Sequence, residues 1–248
     1  MPFRHGNLIV VVGGDQDTAL LLAHAVADYV AQTRWMVDHK ASVAAFTLHG
    51  LVVLVTAGLA LGRWDAWEIA ALTAAHLAID AVKTLGKFDR ASAHLIDQSA
   101  HLVTLGVVAA YAPTLYADGL WAPHGAWIPQ AFAIAAGAIL TIRTGGFVVG
   151  KLMSEFASDN LPEGLENGGM MIGYLERGLI YLLVLVGQPG GVGFLIAAKS
   201  ILRFDTSKDQ HQGVAEYTII GTLASFGWAI LVAYGIIALR GALPPIGG

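Results

Sequence analysis

Long apolar runs recur through this chain and decide its class. Six stand out: Ala41–Leu61, Ala66–Leu85, Ala93–Ala112, Ile128–Gly150, Met170–Val186 and Val214–Leu239. A helix needs ~17–25 mostly apolar residues to cross a bilayer, and these runs have that length. Two shorter runs, Thr18–Ala31 and Gly191–Phe204, bring the total to about seven or eight helices. Inside lipid every backbone N–H and C=O must find a partner within the protein, which selects helices. A β-barrel would show ~10-residue alternating segments, and the sequence has none. The expected fold is therefore all-α, a multi-pass transmembrane helical bundle. Composition agrees: 56% of residues are hydrophobic and only 13% are charged, against ~25% in a soluble domain. With no Cys, disulfides, thiolate metal sites and a Cys nucleophile are excluded. A net charge of −4 without a basic stripe argues against nucleic acid as a partner.

The basic residues set the topology. Arg34, Lys40, Lys83, Lys87, Arg90, Arg143, Lys151, Lys199, Arg203 and Lys208 fall in or beside the odd-numbered loops. Arg4, Arg63 and Arg240 fall on the other side, and Arg177 lies within a run. The positive-inside rule makes the odd-numbered loops cytoplasmic. Leu8–Val12 is too short for the apolar core of a signal peptide. The acidic stretch Ser154–Gly169, with Glu155, Asp159, Glu163 and Glu166, reads as a solvated linker. It divides a four-helix half, 17–112, from a second half, 127–240. The segment Gly187–Gly191 reads as a tight turn.

The informative residues are those that lipid should exclude. His24 and Asp28, His76 and Asp80, and Asp97 and His101 are each four apart, so each pair shares a helix face. His49 stands alone on the second helix. Counted from the expected helix ends, His24, His49, His76 and His101 each lie eight residues in, about 12 Å from one membrane face. Asp28, Asp80 and Asp97 lie one turn nearer that face. A shift of 52 carries His24 onto His76, Asp28 onto Asp80 and His49 onto His101. The chain thus reads as a duplicated helical hairpin bearing His and Asp. Asp97 breaks the symmetry, since its counterpart is Ala45. An ionisable group at this depth costs ~2.5–3.5 kcal/mol by insertion scales and marks a functional site.

His and carboxylate without thiolate suit a divalent cation such as Zn or Mn. The candidate ligands are His24, Asp28, His49, His76, Asp80 and His101, with Asp97, His101 and Asp80 as candidate catalytic residues. Two such sets would permit a two-metal centre. The competing reading is an interhelical His–Asp hydrogen-bond network that locks the bundle. His94 is expected at the membrane interface, and His5, His39, His124 and His211 in loops. The second half carries Glu176-Arg177, Lys199, Arg203 and Glu216. Two readings stay open there: paired charges that stabilise the bundle, or basic groups that hold a phosphate or lipid headgroup. Lys83, Lys199, Arg203 and Arg177 are the anion candidates; Gln32, Gln98, Glu176 and Glu216 are structural polar candidates.

These motifs resemble a bacterial membrane-protein family, domain of unknown function 3307. The resemblance is carried by His24/Asp28/Gln32 followed by Trp35, by His76/Asp80/Lys83, and by Asp97/Gln98/His101. It covers roughly Leu20–Val108. Gly193–Ser200 and Glu216-Tyr217 resemble the extended members, and residues 1–16 precede the family's usual start. The family name carries no function. A distant likeness links the His/Asp pattern to membrane-bound metal-dependent hydrolases.

Three functions follow as expectations. The first is a metal-dependent hydrolase acting on a phosphate-containing or lipid substrate at the cytoplasmic leaflet. The second is a metal-ion or proton transporter. It is disfavoured because Thr56 and Thr104 are the only obvious polar residues in the outer halves of helices two and four. The third is a non-catalytic scaffold or sensor with a structural His–Asp network. Membrane lipids are the expected partners, and a homo-oligomer stays open.

Overall fold

The computed structural model describes residues 14–86, 88, 90–156, 167–204 and 212–245, without the side chains of 202–204 and 212. Residues 1–13, with His5, lie outside the described residues, as do Lys87, Asp159, Glu163, Glu166, Lys208 and His211. The described part is all-helical. Helix α1 (Asp15–Val26) runs on through a π-helical turn, Ala27–Ala31. A short α2 (Arg34–Asp38) leads to α3 (Val43–Leu61), α4 (Trp67–Leu85) and α5 (Ala91–Tyr111). Helix α6 (Trp127–Ile139) passes through a second π-helical turn, Leu140–Thr144, into α7 (Gly145–Ser154). Helices α8 (Gly168–Leu185), α9 (Gly191–Phe204) and α10 (Gln212–Gly241) complete the chain.

Local chemistry explains several of these boundaries. The Ser42 Oγ accepts the Ala45 N–H at 3.2 Å and opens α3, as an N-cap hydroxyl does. Gly62 closes it in the left-handed region, φ 69°, where a Cβ is costly. Gly187, φ 73°, turns the chain between α8 and α9. The sequence does not signal α2, whose five residues are too few for a periodic pattern.

Helix α1 packs on α3, α5 and α6. Helices α3, α4 and α5 pack in succession, and α10 packs on α6, α7 and α8. One apolar core joins Leu20, Leu61, Leu72, Leu105 and Ile128. A second joins Ile180, Tyr181, Phe226 and Ile236. Four segments have the length and composition to cross a membrane: Val43–Leu61, Trp127–Ser154, Gly168–Leu185 and Gly213–Gly241. Protein buries only 22–39% of their apolar windows, so most of that surface needs lipid as its solvent. Exposed Trp and Tyr rings stand near one set of helix ends (Trp64, Trp67, Tyr111, Trp127) and near the other (Trp35), where such amphipathic rings sit at bilayer interfaces.

The two π-helical turns position the site. A π turn widens the helix and releases carbonyls from their usual partners, and side chains take up those carbonyls here. Arg143, within the second turn, donates from Nε to the Tyr29 carbonyl of the first at 3.0 Å. Trp228 Nε1 donates to the Leu140 carbonyl at 2.9 Å. Arg177 is 3% exposed; its Nε and Nη2 donate to the Ile142 carbonyl at 3.3 and 3.2 Å. Its Nη1 donates to Ser225 Oγ at 2.9 Å. Replacing Arg177 by Ala leaves buried acceptors unpaired, at about 1–3 kcal/mol. A clear drop in the thermal midpoint in detergent is the expected result. Arg177→Lys should recover only part of it, since one ammonium cannot reproduce the fork.

Candidate metal centre

The duplicated hairpins bring the His and Asp residues together on α1, α3, α4 and α5. His49 comes from α3 and His76 from α4, and their Nε2 atoms lie 3.0 Å apart. Two carboxylates bracket them. The Asp28 Oδ1 is 3.3 Å from His76 Nε2 and 3.7 Å from His49 Nε2. The Asp80 Oδ2 is 3.1 Å from His49 Nε2 and 3.6 Å from His76 Nε2. Ligand atoms around a tetrahedral zinc with bonds of ~2.0–2.1 Å are about 3.3 Å apart. The cluster therefore has the spacing of a coordination shell. Asp28 lies in the first π-helical turn, which adjusts its reach toward α3 and α4.

His24, on α1, and His101, on α5, complete the layer. Their rings stack with centroids 5.2 Å apart, and the His49 and His76 centroids are 5.1 Å apart. These two pairs exchange under the 52-residue shift, so the repeat survives as near-equal spacing. His24, His49, His76, Asp80, Asp97 and His101 are all buried, and the Asp28 side chain is 11% exposed. The seven residues form three overlapping groups that could hold a metal ion: His24/Asp28/His76, His49/His76/Asp80 and Asp80/Asp97/His101.

A hydrogen-bonded wall orients the layer. Lys83 Nζ donates to Asp97 Oδ2 at 2.6 Å and lies 3.1 Å from His94 Nδ1. His94 Nε2 is 3.0 Å from the Tyr29 hydroxyl. Gln98 Nε2 also donates to Asp97 Oδ2, at 3.2 Å, and Gln98 Oε1 faces His24 Nε2 at 3.1 Å. The chain Tyr29–His94–Lys83–Asp97–Gln98–His24 is thus continuous. His94 corrects the interfacial expectation: it is 4% exposed, and its ring packs on Phe147 of α7 with centroids 4.7 Å apart. That cover comes from the second half, so the first half's sequence gives no sign of it.

A cavity of about 590 Å³ opens beside the layer, with Asp28, Asp80, Asp97, Gln98 and Gln32 in its lining. Lys40, Lys83, Arg143 and Lys151 supply its cationic lining. Three of these, Lys40, Arg143 and Lys151, enter the sequence reading only as topology markers. Beyond the layer, Leu20, Val53, Ala57, Leu72 and Leu105 close around His24 and His76, leaving about 10 Å³. Thr56 and Thr104 bond carbonyls of their own helices there.

The other nominated residues lie apart. Lys199 Nζ donates to Glu176 Oε2 at 2.8 Å, and Arg177 holds the second π-helical turn. Both line a further cavity of about 800 Å³. It shares Gly146, Gly150 and Met170 with the first. Glu216 is on α10. Arg203 is on α9, with its side chain outside the described residues. His39 and His124 are exposed on short elements away from the layer.

Residues 18–121 match the family described as Protein of unknown function (DUF3307). The matched region spans less than half of the chain. That region contains all seven residues of the layer together with Lys83 and His94. Arg143, Lys151 and the 800 Å³ cavity fall beyond it. No curated protein and no solved structure matches the chain.

Proposed function

We propose that this protein is a membrane-embedded metal-dependent hydrolase. Its substrate would be a phosphate-bearing lipid reached from the cytoplasmic leaflet of a bacterial inner membrane. The observation that carries the reading is one juxtaposition: a buried His/Asp shell with ligand spacing, open to a cavity walled by Lys40, Lys83, Arg143 and Lys151. His49, His76, Asp28 and Asp80 would hold Zn or Mn. The bound ion supplies Lewis-acid activation of water and of the ester oxygen. The cations would hold the phosphate, and Arg143 and Lys83 are themselves fixed by Tyr29 O and Asp97. Hydrolysis adds water across the phosphoester, its hydroxyl to phosphorus and its remaining proton to the departing oxygen.

Lipid is favoured over a soluble phosphoester because the cationic cavity joins a larger one through Gly146, Gly150 and Met170. A Cβ at Gly150 meets no atom within 4 Å, so the first atom of a Leu side chain enters the junction unopposed and Gly150→Leu narrows it. The expected result is at least tenfold slower release of phosphate from a long-chain lipid phosphate in vesicles. Turnover of a short-chain phosphoester should be unchanged. Equal rates for both in wild type and variant would remove the lipid assignment. The apolar closure beyond the layer counts against transport. Cation flux in proteoliposomes, abolished by Asp80→Asn and with no phosphoester turnover, would reverse the ranking.

A further inference from the structure

Three buried imidazole nitrogens lack a hydrogen-bond partner among the described residues, His24 Nδ1, His49 Nδ1 and His101 Nε2, and the His24 and His101 rings lie on the far side of the layer from His49. The protonation of His24 and His101 follows from the groups around them. His101 Nδ1 is 2.9 Å from the Asp97 carbonyl oxygen. A carbonyl only accepts, so Nδ1 carries the proton and, in the neutral ring, Nε2 presents a lone pair. The Asp97 carboxylate, held by Lys83, accepts from the Gln98 amide nitrogen. That fixes the Gln98 amide with Oε1 toward His24, so His24 Nε2 donates. His24 Nδ1 is then a lone pair as well. The two histidines are 4% and 2% exposed, and a buried lone pair without a donor is costly.

We infer that the layer takes two divalent cations, the second held by His24 Nδ1 and His101 Nε2 with Asp28 and Asp80 shared between the ions. The inference rests on the metal reading above and specifies its count. The 52-residue shift supports it independently, because it exchanges His49, His76, Asp28 and Asp80 with His101, His24, Asp80 and Asp28. Each position would take one histidine from each half of the repeat. Ligand histidines that donate their other nitrogen to a carbonyl or an amide oxygen are the usual second support of a metal site. Asp97 and Gln98 give that support to the second position only, since their counterparts are Ala45 and Phe46.

Metal content of the full chain in detergent, stripped and reloaded with Mn²⁺ and washed, is the test, read with the Mn²⁺ spin-resonance spectrum. The expected result is two ions per chain with an exchange-coupled signal. His24→Ala and His101→Ala should each fall to one uncoupled ion. Gln98→Leu, which leaves both ligands, should weaken the second ion by about 10–100-fold and guards against a folding failure of the ligand variants. One uncoupled ion in wild type, unchanged by His24→Ala, His101→Ala and Gln98→Leu, would overturn the inference while leaving a one-metal hydrolase. No ion in any form would overturn both.

Discussion

Replacing His76 by Ala should release the bound metal and abolish turnover. His76 Nε2 lies within 3.0–3.6 Å of His49, Asp28 and Asp80, and its ring centroid is 4.2 Å from that of His101. It thus touches four of the other six residues of the layer. A supporting residue of a metal site is typically worth 10–100-fold in affinity, so loss of this ligand should exceed about 100-fold. The same substitution leaves His49 as the imidazole that still touches both Asp28 and Asp80. Stability should register the change in a specific way. A ligand at ~1,000 times its dissociation constant stabilises by about 4 kcal/mol. Chelation should therefore lower the thermal midpoint of wild type and leave that of His76→Ala where it is. A chelator effect of equal size on both would contradict the assignment.

The second large effect is expected at Lys83. Its ammonium is 2.6 Å from Asp97, with side chains 18% and 5% exposed. Breaking a buried pair by removing one partner costs about 3–5 kcal/mol, because the other charge stays buried. Lys83→Met should therefore destabilise the protein strongly and abolish phosphoester turnover. The double variant Lys83→Met/Asp97→Asn separates the two roles, since partners of one pair do not behave additively. It should regain much of the stability, as no unpaired charge remains, and it should stay inactive. Recovery of activity along with stability would reduce Lys83 to a structural counter-ion.

The helical class and the His/Asp layer were legible because both are periodic. Apolar runs report span length, and four-residue spacing reports a shared helix face. Counting residues from each helix end placed His24, His49, His76 and His101 at one level, where the structure brings them together with Asp28, Asp80 and Asp97. What stayed hidden depends on contacts between distant segments. The π-helical turns at Ala27–Ala31 and Leu140–Thr144 leave no compositional trace. Arg143 therefore read as a topology marker, although it ties the two turns together. Arg177 read as an anion candidate from its charge alone, yet its donors go to Ile142 O and Ser225 Oγ. Lys199 had two open readings, and in the structure it is paired with Glu176. His94 sits near a helix start, and its burial comes from α7, more than fifty residues away in sequence.

The central claim is that this layer binds metal and does not merely lock the bundle through His–Asp hydrogen bonds. Elemental analysis of the detergent-purified protein, wild type beside His49→Ala/His76→Ala, tests it most directly. The account predicts tightly held Zn or Mn in wild type, at one ion per chain or more, and loss of at least one ion per chain in the double variant. Metal-free wild-type protein that gains no ion on reloading, with a thermal midpoint that collapses in the double variant regardless of metal, would contradict it.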